Sequence, residues 1–291
     1  MRLVLCGGSG FCGQLLKAFF TERGWEVIVV SRNSGGWERL RDTLNGADAV
    51  VNLAGRTVNC RYTPDHCAEI YASRLDTTRA IGEAIAACSN PTLVWLNAST
   101  ATIYRHALDR DMDEATEELG KGFSVDVARY WEQTLWDSPT PHTRKVALRS
   151  AMVMAPGAEG IFGAFYGLVK AGLGGPMAGG AQYISWIHGR DFCRSVEFLI
   201  EHSEISGPVN LAAPHPLPNR EFLGILRKAI GMPLGLPSTR WMLEIGAWLR
   251  KTETELLLKS RRVVPGMLLA AGFEFRYPTW PEAVKDLVET K

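Results

Sequence analysis

The residues with the clearest chemistry lie near the N-terminus: Gly7-Gly8-Ser9-Gly10-Phe11-Cys12-Gly13. An apolar run, Leu3–Cys6, precedes them and reads as a buried strand, and a helix is predicted just after them, over Leu15–Arg23. A strand that turns sharply into a helix favours glycine. A diphosphate approaching the backbone closely needs side chains out of its way. The helix start then offers free N–H groups and a positive dipole end. A tight turn without a ligand is the plainer alternative, and the position directly after the first strand argues against it. No G-x-x-x-x-G-K-[ST] occurs, so a P-loop hydrolase is unsupported, and no G-x-S-x-G occurs, so neither is a serine hydrolase.

A second run, Glu26–Val30, ends in Ser31-Arg32. A carboxylate there would hydrogen-bond both ribose hydroxyls of an adenosine and favour NAD. A planar cation beside a hydroxyl suits a 2′-phosphate instead. The expected cofactor is therefore NADP(H), against the plainer reading of Arg32 as a surface arginine. A third run, Asp48–Leu53, ends in the small residues Ala54 and Gly55, which leave room for a cofactor beside the first turn.

Composition narrows the class. Lys plus Arg is 32 and Asp plus Glu is 31, a net charge of +1, which argues against nucleic acid or an anionic membrane as partner. Glycine is enriched at 29 of 291 residues, where about 7% is usual. Four glycines fall at 7–13 and nine at 157–180; the second group is expected to be a mobile or tightly turned segment over a cleft. The six cysteines form no C-x-x-C and no zinc spacing, so buried reduced thiols are expected and no metal. No apolar run reaches the length of a membrane span, and a soluble, cytoplasmic protein is expected. The acidic run Asp109–Glu118 reads as a solvated loop.

These residues need a scaffold that sets them at one edge. Strands alternate with helices in the first half: a long helix over Asp65–Cys88, a strand over Thr92–Asn97, a helix over Val125–Asp137, a strand over Arg144–Ser150. This order predicts an α/β fold, a Rossmann-like doubly wound parallel sheet, with a smaller, mostly helical C-terminal lobe. Residues 33–47 are short for the pattern and hold one small helix, with the usual third strand stunted or absent. Further helices are predicted over Gly189–His202, Asn219–Ile230, Trp241–Lys251, Arg262–Ala271 and Pro281–Glu289, with a strand over Val209–Ala212. The expected division is a cofactor domain over 1–155, regaining about 190–211, and a substrate-side lobe over 156–189 and 212–291.

With these motifs in place the chain resembles the short-chain dehydrogenase/reductase superfamily, in its extended, epimerase-like branch. Within that branch it resembles epimerase-family proteins that end in a small C-terminal domain of unknown function. The glycine loop, Ser31-Arg32, Asn52–Gly55, Ala72-Ser73-Arg74, Leu148-Arg149-Ser150, Gly172–Pro176, Trp186-Ile187-His188 with Asp191, and Ala271–Phe275 carry the resemblance. It implies cofactor contacts from Gly7, Gly8, Ser9, Gly10, Phe11, Cys12, Gly13, Ser31, Arg32, Leu53, Ala54, Gly55, Glu69, Arg74 and Val153. An exposed charge is the plainer reading of Glu69 and Arg74, and a core valine that of Val153.

The resemblance breaks at the catalytic pair. Working members of the superfamily use Tyr-x-x-x-Lys, and those positions fall here at Ser124 and Ala128. The one Tyr-x-x-x-Lys, Tyr166 to Lys170, reads as coincidence. Ser99 and Thr100 match the Ser/Thr position, and Tyr104 is the candidate substitute proton donor. Gln182, Trp186 and His188 are candidate contacts to an unidentified small substrate, although His188 reads more readily as a satisfied hinge histidine. Two readings stand: an NADP(H)-dependent oxidoreductase or epimerase with altered acid–base residues, or a catalytically silent NADP(H)-binding sensor or scaffold. No oligomeric state is read from the sequence.

Overall fold

The computed structural model describes residues 1–31, 39–116, 118–157, 160–242, 244 and 258–290. Six parallel strands form the main sheet: β1 (Arg2–Cys6), β2 (Glu26–Val30), β3 (Ala49–Asn52), β4 (Val94–Thr100), β5 (Arg144–Ser150) and β9 (Gly207–Leu211). Their order is β2-β1-β3-β4-β5-β9. The order in which successive strands are added reverses between β1 and β3, and such a switch point is where open α/β sheets bind ligands.

Period-two alternation sorts the apolar runs onto two faces. Leu3 and Leu5 of β1 pack with Val51, Leu96 and Leu148 against α1 (Phe11–Glu22) and α6 (Gly189–Glu201). Val4 and Cys6 point the other way, with Val50, Trp95 and Ala147, onto α2 (Leu40–Leu44), α3 (Pro64–Ala86) and α4 (Phe123–Asp137). The strand β2 ends the described sheet, and the span expected to hold a stunted third strand contributes only α2; residues 32–38 lie outside the described residues.

The second lobe has its own core. It joins α5 (Ile161–Lys170), α7 (Asn219–Ala229) and α9 (Trp280–Glu289) around Phe165, Phe222 and Trp280. Phe222 and Trp280 stack at 4.0 Å. Two short pairs support it: β6 (Met152–Met154) runs parallel to β8 (Trp186–His188), and β7 (Tyr183–Ile184) antiparallel to β10 (Leu217–Pro218).

Two helices depart from expectation. Residues 161–170 were expected to be part of a turned, glycine-rich segment and instead form α5, because Phe162, Phe165 and Val169 recur at helical spacing and bury; burial outweighs the cost of glycine inside a helix. The helix expected over Arg262–Ala271 is confined to α8 (Gly266–Ala270), since Pro265 stops extension toward the N-terminus. Of the helix expected over Trp241–Lys251, all but Trp241, Met242 and Glu244 lies outside the described residues. The C-terminal segment also crosses the expected lobe boundary: Leu268 and Phe273 bury in the core of the main sheet.

Candidate functional site

The glycine loop is built by close approaches. Gly7 has φ of 78°, and a Cβ there would stand 2.6 Å from the Ala54 backbone nitrogen. A Cβ on Gly13 would stand 2.5 Å from the Gly8 Cα, so α1 seats directly on the loop. Gly10 differs. It starts α1 in an extended conformation with no side-chain cap, and a Cβ there would meet only the Gly7 carbonyl, at 3.7 Å. The helix start is therefore bare and roomy, which fits a diphosphate.

The neighbouring strand end is fixed by a buried network. Asn52 Nδ2 donates to Asn97 Oδ1 at 2.7 Å, and Asn52 Oδ1 accepts from the Ala54 N–H at 3.0 Å. Thr78 joins through Asn52, and Trp131 Nε1 donates to the Thr78 hydroxyl at 3.0 Å. Leu53 and Ala54 thus pass beside the loop in a fixed path. Phe11 turns toward the second lobe, where a Cβ on Gly160 would lie 2.6 Å from its ring. Burial pushes the Cys12 thiol up to about 11, so it is inert packing. Ser31 follows β2, whose last residue, Val30, accepts from the Gly7 N–H at 2.9 Å; Arg32 lies outside the described residues.

Glu69 is exposed and ion-paired with Arg56. Arg74 enters from α3 and lies against Gly55, whose Cβ would be 3.2 Å from the guanidinium carbon. It donates to the Arg56 and Ile70 carbonyls and sits 4.9 Å from the Trp131 ring. Burial pushes it down to about 10, with nearby Tyr62 opposing that shift. Val153 is buried in the sheet core, pairing with Ile187, and does not line the cavity described next.

A cavity of about 450 Å³ opens at the C-terminal ends of β4 and β5. Ser99, Thr100, Ser124 and Arg74 line it, and so do Arg261, expected on a solvated face, and Tyr62, which no sequence signal singled out. The Tyr62 hydroxyl lies 3.5 Å from the Ser124 Oγ, and its ring packs on Phe123 at 4.6 Å. A tyrosine from the loop before α3 thus reaches the place where α4 carries serine. Ala128, at the lysine position, is buried in the core.

Tyr104 is corrected. Its hydroxyl donates to Asn210 Oδ1 at 2.9 Å and accepts from Arg149 Nη1 at 2.9 Å, with the ring buried off the cavity. Burial raises its pKa, against Arg149. Arg149 forks onto Glu132 through Nε (2.9 Å) and Nη2 (2.8 Å), and Glu132 also accepts from the Ser99 hydroxyl at 2.6 Å. Ser99 therefore faces the cavity with its proton committed, whereas the Thr100 hydroxyl donates to Thr102 at 2.8 Å.

The three candidate substrate residues stand away from the cavity. Gln182 is buried and donates to the Met177 carbonyl at 3.0 Å; Trp186 packs edge-on against Trp280. His188 starts α6, its Nδ1 accepting from the Arg190 N–H at 3.1 Å. Nearby, Asp191 accepts from the Arg276 and Tyr277 N–H groups at 2.9 and 2.8 Å and so ties the C-terminal segment to α6. Tyr166 and Lys170 share α5, the ammonium 5.3 Å from the ring, and do not line the cavity.

Burial holds His188 down at about 4, although Asp286 pulls the other way. A histidine ordinarily titrates near 6.5, so the unfolded chain binds the proton more readily and stability falls as pH drops from about 6.5 toward 4. Melting curves from pH 7 to pH 5 are expected to show a steeper loss for the wild type than for His188→Asn, which keeps a capping oxygen. Equal slopes would remove His188 as the source.

Among the described residues no cluster of metal-ligating side chains occurs, and no helix is long and apolar enough to cross a membrane. A parallel sheet with a bare, glycine-lined helix start at its switch point defines a Rossmann-like fold of the extended short-chain dehydrogenase/reductase type. The chain belongs to the NAD dependent epimerase/dehydratase family, whose model matches residues 3–212, and a domain of unknown function, DUF1731, matches residues 239–287. Bovine epimerase family protein SDR39U1 is 31% identical over 99% of this chain and 100% of its own length. An epimerase family protein of Mycobacterium leprae is 31% identical over 97% of this chain and 94% of its own. The crystal structure of human SDR39U1 (isoform 2) with NADPH superposes with a TM-score of 0.91 at 30% identity, covering both chains fully.

Proposed function

We propose that the protein binds NADP(H) and uses it in an oxidoreductase or epimerase reaction on a small molecule. The observation that carries this reading is that two features sit at the C-terminal ends of the sheet strands: the bare start of α1 and a cavity lined by Tyr62 and Ser124. The NADPH named with the human relative supports the cofactor. Gly7 to Gly13 would hold the diphosphate, Leu53 to Gly55 would pass along the cofactor, and Arg74 would meet it from α3. Ser31 and Arg32 would take the 2′-phosphate.

When bound, NADPH supplies a hydride to a carbonyl carbon. The Tyr62 hydroxyl donates the matching proton to the carbonyl oxygen. Ser124 at 3.5 Å orients that hydroxyl, and the Arg74 cation stabilises the tyrosinate that remains until solvent returns the proton. Tyr62 thus substitutes for the tyrosine missing from α4. Bound NADPH, followed through its absorbance while carbonyl compounds and sugar nucleotides are screened, tests the reading. Oxidation by any of them is expected, with kcat reduced about 100-fold or more in Tyr62→Phe and NADPH affinity unchanged. Tight binding with no oxidation across the screen would favour a silent sensor, the reading that Ala128 at the lysine position supports.

A further inference from the structure

The wall of the cavity describes the molecule it takes. Helix α4 lends it Phe123, Val127 and Trp131, spaced four residues apart and so on one face of the helix. The single polar atom in these three side chains is turned away, since Trp131 Nε1 donates to the Thr78 hydroxyl at 3.0 Å. Ile70 extends the apolar wall from α3, Met152 from β6 and Ile161 from the start of α5. Ile161 is 37% exposed, a large apolar side chain left open at the cavity. The polar groups of the wall are committed inside the protein. The Ser99 hydroxyl donates to Glu132 at 2.6 Å and that of Thr100 to Thr102 at 2.8 Å. The Ser185 hydroxyl donates to the Arg261 carbonyl at 2.7 Å and that of Ser150 to the Leu148 carbonyl at 3.4 Å. Arg74 donates to the Arg56 and Ile70 carbonyls, and Arg261 Nη1 to the Ser260 carbonyl at 3.4 Å. The described lining holds no carboxylate.

We propose that the substrate is an apolar ketone or aldehyde, not a sugar nucleotide, and that its body lies along the stripe of Phe123, Val127 and Trp131. A sugar brings several hydroxyls, and each one buried without a partner weakens binding by about tenfold or more. An apolar body meets no such cost on this wall and gains by leaving water. The Tyr62 and Ser124 hydroxyls, 3.5 Å apart, stand where one carbonyl oxygen would be received. The carbonyl carbon takes the hydride, its oxygen takes the Tyr62 proton, and the products are the alcohol and oxidised cofactor. The inference rests on the NADP(H) reading, because the cavity of about 450 Å³ must also admit the reactive end of the cofactor.

Calorimetric titration of the full chain loaded with NADP⁺ tests this without turnover, since the oxidised cofactor cannot reduce a ketone. The probes are acetophenone, 2-decanone, pyruvate and UDP-glucose. At least one of the two apolar ketones is expected to bind more tightly than pyruvate and UDP-glucose, by about tenfold or more. Ile161→Gln and Val127→Ala are each expected to weaken that ketone by about three- to tenfold and to leave NADP⁺ affinity within about twofold. Should Val127→Ala melt far below the wild type, Ile161→Gln carries the test, because a partly exposed helix start accepts glutamine. Pyruvate or UDP-glucose binding as tightly as the better ketone would overturn the proposal. So would ketone affinity unchanged in the folded variants, or no binding of either ketone by a chain that does hold NADP⁺. If the chain takes no NADP⁺ yet binds an apolar ketone in an Ile161-dependent way, the cofactor reading falls and the apolar site stands.

Discussion

Gly10→Leu is expected to fold normally and to lose NADPH affinity by about 100-fold or more. Gly10 has φ of −78° and ψ of 169°, a conformation any residue adopts, and its Cβ would meet nothing closer than 3.7 Å. The leucine side chain would then occupy the space over the start of α1, where the diphosphate oxygens would meet free N–H groups. Loss of two charge-assisted hydrogen bonds at about 1.5 kcal/mol each gives about that factor. Titration of NADPH fluorescence, beside a melting curve, measures both quantities. Gly13→Val makes the contrast: its Cβ would stand 2.5 Å from the Gly8 Cα, so it is expected to lower the melting temperature as well. Undiminished NADPH binding by Gly10→Leu would show that the cofactor does not use this helix start.

Glu132→Ala is expected to cost about 3–5 kcal/mol of stability, because it strands a buried cation. Glu132 and Arg149 are each only 8% exposed in their side chains, and the forked pair also positions Ser99 and Tyr104. In a chain of this size that loss corresponds to a melting temperature lower by roughly 6–20 °C. The double variant Glu132→Met with Arg149→Met is expected to recover most of it, since removing both charges removes the stranded cation. A single variant as stable as the wild type would mean that the pair contributes nothing to holding β4, β5 and α4 together.

How much of this could be read in advance depended on whether the signal was local. The β1–loop–α1 unit was legible, because a strand, a glycine turn and a helix start are contiguous in sequence and the close approaches at Gly7 and Gly13 demand glycine. The absence of the usual pair at Ser124 and Ala128 was legible through the resemblance to the superfamily, which places those positions on the helix α4. Tyr62 was not: it lies 62 residues before Ser124, and only the packing of its loop on Phe123 brings the two hydroxyls together. Tyr104 misled because its place after β4 is near the cleft in sequence, while its hydroxyl is turned to Arg149 and to Asn210, 106 residues away. The helix α5 was hidden by Gly163 and Gly167, which look like breakers until Phe162 and Phe165 are seen buried on one face.

Comparative titration of the purified protein with NADPH and NADH tests the central claim most directly. NADPH is expected to bind with at least about tenfold higher affinity than NADH, a difference of about 1.4 kcal/mol, and Arg32→Ala is expected to abolish that preference by weakening NADPH alone. Equal affinity for the two nucleotides, equal losses in the variant, or no binding of either would contradict it.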